Sequence, residues 1–404
     1  MGRLGIGRAI AYASGSKSRS PMSRPPEIDR VIEAFKNKDY RTAARLLNPL
    51  LTSQPRDPWV QLYAARLHEL AGRRNVAEPI YRELLRNTTN PNPKILAQAR
   101  QGLQRLETAD RDRLQSAIAQ ARTEAASPSS TKAATGILVL EPIAPDQRKA
   151  AAQHFAQIFN LDPYTARMQL PSRDWRLFRT GILSELQVYV DALRASDIPC
   201  FCVNEQEVRA VKTFVVKHFQ SVDPHPIVIC ENDHHQLGTL ELRWADVTQR
   251  VLGVVPVVES VIDLNARGQI IRRDHTQDFI PLLDLHLRDR GCILRLCESA
   301  YQFDRGVAFA PMGFSPNSFV SEADDGRPTR RTQWNALCAF VTQQTATATV
   351  FDGFTGFAET ALDYRELLDR LNPQIPVPRR DARPMGEDAA FALYSSVSFC
   401  RRSP

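Results

Sequence analysis

Between residues 27 and 124, apolar side chains recur three and four positions apart, the period of helices that bury one face. Compared with itself, this stretch repeats every 34 residues. Lys38, Asp39, Tyr40, Ala43, Leu46, Leu47 and Leu50 align with Gly72, Arg73, Arg74, Ala77, Ile80, Tyr81 and Leu84. Each unit is a polar turn, a small residue, and then apolar residues on one face. That pattern predicts a tight turn feeding a second helix whose small residue lets its neighbour approach. Pro93 to Leu106 adds a third helical segment, with Ile95, Ala99, Leu103 and Leu106 on one face, and a more polar helical pattern continues to Thr123. Pro49 lies well inside its helix and predicts a kink, whereas Pro79 falls near a first turn, where its missing N–H costs little. The composition of residues 126–135, ASPSSTKAAT, is that of a linker.

Short apolar segments then alternate with amphipathic ones. Ile137 to Leu140 reads as a strand, Asp146 to Phe159 and Asp162 to Leu170 as helices, and Trp175 to Phe178 as a strand. Leu183 to Ala195 reads as a helix and Cys200 to Val203 as a strand, giving the order βααβαβ and an α+β sandwich with helices on one face of a small antiparallel sheet. From Val211 the period switches to two. Thr213–Phe219, Ile227–Cys230, Leu237–Arg243, Val251–Val258, Val261–Leu264 and Gln269–Arg272 read as strands, with a hairpin turn at Asn265 to Gly268. Phe279–Leu287 is an apolar run of either type, Ile293–Ser299 another strand, and Thr329–Gln344 a closing helix. Asp363–Leu371 reads as a helix, and Leu393–Phe399 as an edge strand or docking segment.

These patterns divide the chain into a basic, disordered leader (1–26), helical repeats (27–124), a linker (125–135), an α+β domain (136–206), a β-rich barrel-like domain with its closing helix (207–345), and a C-terminal helix and tail (346–404). The repeats, through KNKDYRTAARLLNPLLTSQP and AGRRNVAEPIYRELLRN, resemble the tetratricopeptide repeat (TPR). The first unit departs from that family with Arg30 and Val31 where it prefers a large apolar and then a small residue; the second keeps Ala64 and Ala65. The resemblance implies paired helices stacked as a short solenoid that binds a protein or peptide in its groove. Residues 158–203 resemble the C-terminal domain of the bacterial ribosomal stalk protein at the level of fold alone, because Asp162, Tyr164 and Arg167 stand where that domain carries its recruiting helix. The six or seven strands closed by a helix are similar to a pleckstrin-homology-like barrel. The whole order resembles proteins designated simply tetratricopeptide-repeat proteins in cyanobacterial genomes.

Composition narrows the classes. Of 404 residues, 43% are hydrophobic and 24% charged, as in soluble globular chains. No apolar run approaches the ~18–20 residues of a membrane span, and Val251 to Val258, the best, ends at Glu259. The net charge of +7 concentrates in residues 1–26, where Arg3, Arg8, Lys17, Arg19 and Arg24 face no acid; the remaining 378 residues carry only +2. That is too little for a nucleic-acid footprint. Met22 is an alternative start. Seven cysteines without scaffold spacing or a secretory signal point to reduced thiols and a cytoplasmic protein.

Candidate chemistry is sparse. Cys230, His234 and His235 lack zinc-ligand spacing, and adjacent histidines on an extended segment face opposite ways. Cys200 and Cys202 share a strand face as core residues, while Cys292 and Cys297, five apart, face opposite sides. Asp284 and His286 share a face and Asp274–His275 adds a second acid–imidazole pair, but no nucleophile elbow or phosphate loop accompanies them, so structural hydrogen bonds explain both. Arg272–Arg273 suits a charged edge strand as well as an anion site, and Pro373–Pro384 a covering loop as well as a polyproline ligand.

The reading that follows is a non-enzymatic adaptor with no cofactor, no metal and no catalytic residues. Leu62, Arg66 and Glu69, three to four apart in the second unit, form the partner-binding stripe, opposite Ala64, Ala65 and His68, which face the stack. Its rivals are a sensor whose C-terminal body binds a small anionic ligand and signals through the repeats, and an enzyme using the Asp274–His286 region.

Overall fold

A computed structural model describes residues 26–86, 92–126, 134–264, 270–309, 328–377 and 385–401; of residues 26, 259–264 and 270–275 it describes the backbone alone. The chain divides into two compact units at Arg113/Leu114. The leader and most of the expected linker lie outside the described residues.

The first unit is helical: α1 (Pro26–Lys36), α2 (Tyr40–Ser53), α3 (Pro58–Leu70), α4 (Arg74–Arg86) and the first part of α5 (Pro93–Ala125). Local chemistry sets the boundaries. Asp39 caps α2 by accepting from the Thr42 N–H, and Asp57 caps α3 from Trp59 and Val60 with Pro58 in its first turn. Gly72, at φ +71°, takes the left-handed conformation in the α3–α4 turn. Starting points of α2 and α4 are 34 residues apart, and both helices continue past Pro49 and Pro79. The core joins Ile28, Val31, Leu47, Leu62, Tyr63, Ala65, Tyr81 and Ala99. A side chain at Gly102 of α5 would overlap the Tyr81 ring, so only glycine allows that helix so close. Helix α5 is continuous for 33 residues. Its segment from Leu114 belongs to the second unit, where Ile118 packs with Leu186 and Val190, so the division falls inside a helix rather than at residues 126–135.

The second unit begins with β1 (Thr135–Leu140), α6 (Arg148–Phe159), α7 (Pro163–Gln169), β2 (Arg176–Ile182), α8 (Leu183–Arg194) and β3 (Cys200–Asn204). The strands form an antiparallel sheet in the order β2-β1-β3. Alternation sorts β1 between two cores. Leu138 and Leu140 join Phe155, Leu186 and Val190 of the helices, while Ile137 and Val139 turn to the opposite side.

A short helix α9 (Glu205–Ala210) leads to β4 (Lys212–Ser221), β5 (Ile227–Glu231), β6 (Leu237–Glu241), β7 (Gln249–Leu264), β8 (Ile270–Leu287) and β9 (Cys292–Cys297). Then come α10 (Arg330–Gln344), β10 (Thr349–Phe351), α11 (Phe354–Ala361), α12 (Arg365–Leu368) and α13 (Gly386–Cys400). The strands form a mixed seven-stranded sheet in the order β10-β7-β8-β9-β4-β5-β6. This corrects the expected pleckstrin-homology-like barrel. Among the described residues the sheet is open, with β10 and β6 at its edges, because β4 pairs in parallel with β9 instead of closing a meander. Helices cover both faces: Trp334, Leu337 and Val341 of α10 on one, Phe354, Phe357, Phe391 and Tyr394 of α11 and α13 on the other. The α11–α13 core also takes Ile137, Val139, Leu177 and Phe201 of the small sheet, so segments 136–206, 207–345 and 346–404 share one core.

Two C-terminal elements differ from their sequence reading. Residues 393–399 are helical rather than a strand, and α12 spans only four residues of the expected helix at 363–371. Every residue of α13 from Asp388 to Ser398 is buried. A helix covered all round has no polar stripe, so its 3.6-residue period vanishes and a spurious alternation replaces it.

Candidate functional site

The two acid–imidazole residues that the period of β8 places together, Asp284 and His286, form the centre of a buried polar network. Both point to α13, and each is 0% exposed. Arg295, opposite Asp284 on β9, donates through Nε to Oδ1 at 2.9 Å and through Nη2 to Oδ2 at 2.6 Å, a bidentate ion pair. Its Nη1 donates to the Pro373 carbonyl, and its guanidinium lies 5.1 Å from the centre of the Phe391 ring. The Ser395 hydroxyl of α13 donates to Asp284 Oδ2 at 2.6 Å and lies 3.0 Å from His286 Nε2. The other ring nitrogen, Nδ1, meets the Gln249 side-chain amide of β7 at 2.9 Å.

The protons follow from this geometry. Burial, and then the Arg295 and Arg288 charges, push His286 down to about 3, so the ring is neutral at ordinary pH. A neutral imidazole donates from one nitrogen and accepts at the other. The single Ser395 proton goes to the carboxylate, so Nε2–H donates to Ser395 Oγ and Nδ1 accepts. Gln249 must then turn its NH2 to Nδ1, an orientation that heavy-atom positions leave open. The chain runs Gln249 to His286 to Ser395 to Asp284, and Arg295 closes it. Asp284, His286 and Ser395 present no surface to solvent, and Arg295 only 1%. The arrangement orders a core and offers no face to a substrate.

Sequence reading found Asp284 and His286 but missed Arg295, Ser395 and Gln249. One signal was present: a lone arginine inside CILRLC, where the flanking residues demand burial. Ser395 carried none, being remote in sequence and on a segment read as a strand. The side chains of Asp274–His275 and Arg272–Arg273, and residues 378–384 of the Pro/Arg segment, lie outside the described residues.

The cysteine and histidine candidates separate as their strand positions require. Cys292 joins the α10 core and Cys297 the α11–α13 core, on opposite faces of the sheet. Cys200 and Cys202 face the same helices. Cys230 is buried, whereas His234 and His235 are exposed in the β5–β6 turn, with His235 Nδ1 2.6 Å from Glu231 Oε1. Among the described residues, no three His, Cys, Asp or Glu side chains are grouped to hold a metal.

The expected partner-binding stripe is only partly on the surface. Leu62 is 0% exposed, in the core of the first unit, and cannot serve as a surface anchor. Helix α3 is covered on both sides over its first two turns, so the face opposite Ala64 and Ala65 is also buried there. Arg66 and Glu69, a turn later, are half-buried. The Arg66 guanidinium lies 5.5 Å from the Phe35 ring centre. Glu69 accepts from Tyr81 Oη at 2.6 Å and from Arg105 Nε and Nη2 at 2.6 and 2.9 Å. Burial raises the Glu69 carboxyl, but the Arg105 and Tyr81 hydrogen bonds outweigh it and hold the group below its ordinary value. Beside this ion pair, Gln101, Gln104, Arg105, Thr108 and Asp112 of α5 line a shallow groove of 510 Å³.

No protein-family model, curated protein or solved structure matches the chain. Among the described residues, no helix is long and apolar enough to cross a membrane.

Proposed function

We propose that the protein is a non-enzymatic adaptor of the TPR type, in which the helices of the first unit take a polar peptide from a protein partner. The observation that carries this reading is the Arg66–Glu69–Arg105 cluster beside the α5 groove. The Arg105 guanidinium pairs with the Glu69 carboxylate, which also feels the Arg66 charge, and the groove beside them presents the uncharged amides of Gln101 and Gln104 together with the Asp112 carboxylate. That chemistry suits a polar extended segment, recognised by hydrogen bonds and charge-assisted bonds more than by an apolar anchor. Leu62 supports the wall from inside. Burial of the Asp284–His286–Ser395 network supports assigning no catalytic role to these three residues. The absence of any disulfide among the seven cysteines favours a cytoplasmic setting. Neither the charge balance nor any aromatic platform favours nucleic acid.

The test is capture by the full-length chain, compared with Arg66→Glu and with Gln104→Glu, each checked for an unchanged melting temperature. A partner lost by about tenfold or more in both variants supports the groove, as expected for hot-spot charges. A partner held equally by wild type and both variants removes the groove from the hypothesis.

A further inference from the structure

Sheet register leaves a gap in the second unit. Strand β5 pairs with β4 only from Val215 onward, so Lys212, Thr213 and Phe214 have β9 on one side and, among the described residues, no strand on the other. A cleft of 620 Å³ occupies that side, walled by the turn at 232–234 and by residues 370–374, with Ala392 and Ser396 of α13 also lining it. This volume lies within the range of small-molecule sites, roughly 300–1,000 Å³, and is far larger than an inorganic ion needs.

Three cations line the cleft. Arg370 is fixed from behind, donating through Nε and Nη2 to the two oxygens of Glu205 at 2.8 and 3.2 Å; Glu205 is itself buried, at 5% exposure. Arg209 reaches the same carboxylate only at 3.9 Å. Lys212 has no ion-pair partner among the described residues, and Asp233 is the one acid that lines the cleft. Charge in the cleft is therefore positive even after Glu205 is counted.

The cleft wall also carries a strained residue. Gln374 holds φ at +46°, a left-handed conformation unfavourable for a side-chain-bearing residue, and its buried amide oxygen has no partner among the described residues. Val208, Phe214 and Leu371 supply apolar lining.

We propose that this cleft binds a small organic anion, a carboxylate or phosphate on an apolar body. Lys212, Arg209 and Arg370 receive the anionic group, and the Phe214 side packs on the body. Glu205 is a positioning residue that holds the Arg370 guanidinium in place. This site is separate from the peptide groove of the first unit, so either assignment can fail without the other.

The experiment titrates the full-length protein with phenyl phosphate, with benzoate and with uncharged benzyl alcohol, followed by NMR. Saturable binding of one or both anions, without saturable binding of the alcohol, is expected; the tighter anion identifies the head group. Lys212→Glu, at an exposed position, should weaken the anion by about tenfold or more through loss of a charge-assisted bond and added repulsion. If Lys212→Glu shifts the melting temperature, Arg209→Gln replaces it. The proposal is overturned if neither anion saturates, if the alcohol binds as well as the anions, or if a stably folded variant binds the anions as wild type does.

Discussion

Ser395 of α13 and Asp284 of β8 are joined by a 2.6 Å hydrogen bond across 111 residues of chain, inside a core that water does not reach. The hydroxyl also accepts from His286, so one small side chain serves two buried groups. Ser395→Ala removes both services at once. The variant should lose about 1–3 kcal/mol, the cost of leaving buried polar groups unsatisfied. Denaturant unfolding of the two proteins measures it, and a loss below a few tenths would show that the network contributes nothing.

Arg295 and Asp284 form the charged end of the same network. Removing one ion leaves the other buried and uncompensated, so Arg295→Met should cost about 3–5 kcal/mol. The double variant Arg295→Met/Asp284→Asn should recover part of that loss, because no bare charge remains. A double variant no more stable than the single one would place the damage in packing against Phe391 instead.

Acid should weaken the second unit through His286. Its folded-state value of about 3 lies below the ordinary 6.5, so the unfolded chain takes up a proton first as pH falls. Stability from this group is complete above 6.5, is lost at up to about 1.4 kcal/mol per pH unit below it, and stops falling near pH 3. The window from pH 6.5 to 5 is the cleanest, since most carboxylates titrate lower. In His286→Gln the stability slope across that window should flatten; an unchanged slope would mean that His286 is charged in the folded protein.

Gly253 of β7 sits against the rings of Phe391 and Phe354, where any Cβ would overlap them. Gly253→Val should therefore destabilise by about 1–3 kcal/mol or more, although valine is the better strand former. A Gly253→Val protein as stable as wild type would show that α13 can move off the sheet.

In the first unit, Leu62→Ala should cost about 2–5 kcal/mol, as for other fully buried leucines. Thermal unfolding decides between this and a surface role, for which the change would be within a few tenths.

Some of this was legible in the sequence because it depends on neighbours in the chain. The 34-residue period placed α2 and α4, and the βααβαβ order followed from short apolar runs broken by Pro163 and similar stops. Strand parity put Asp284 with His286 and sent Cys292 and Cys297 to opposite faces, since side chains alternate whatever the partner. Tertiary structure alone decided the rest. Whether strands close into a barrel depends on which distant edges meet, and the parallel pairing of β4 with β9 is not written in either segment. Burial on all sides erased the helical period of α13 and turned Leu62 from an apparent surface anchor into core. Ser395, Arg295 and Gln249 become one network only when β7, β8, β9 and α13 pack together, because a hydrogen bond needs about 3 Å of approach and sequence separation says nothing of that distance.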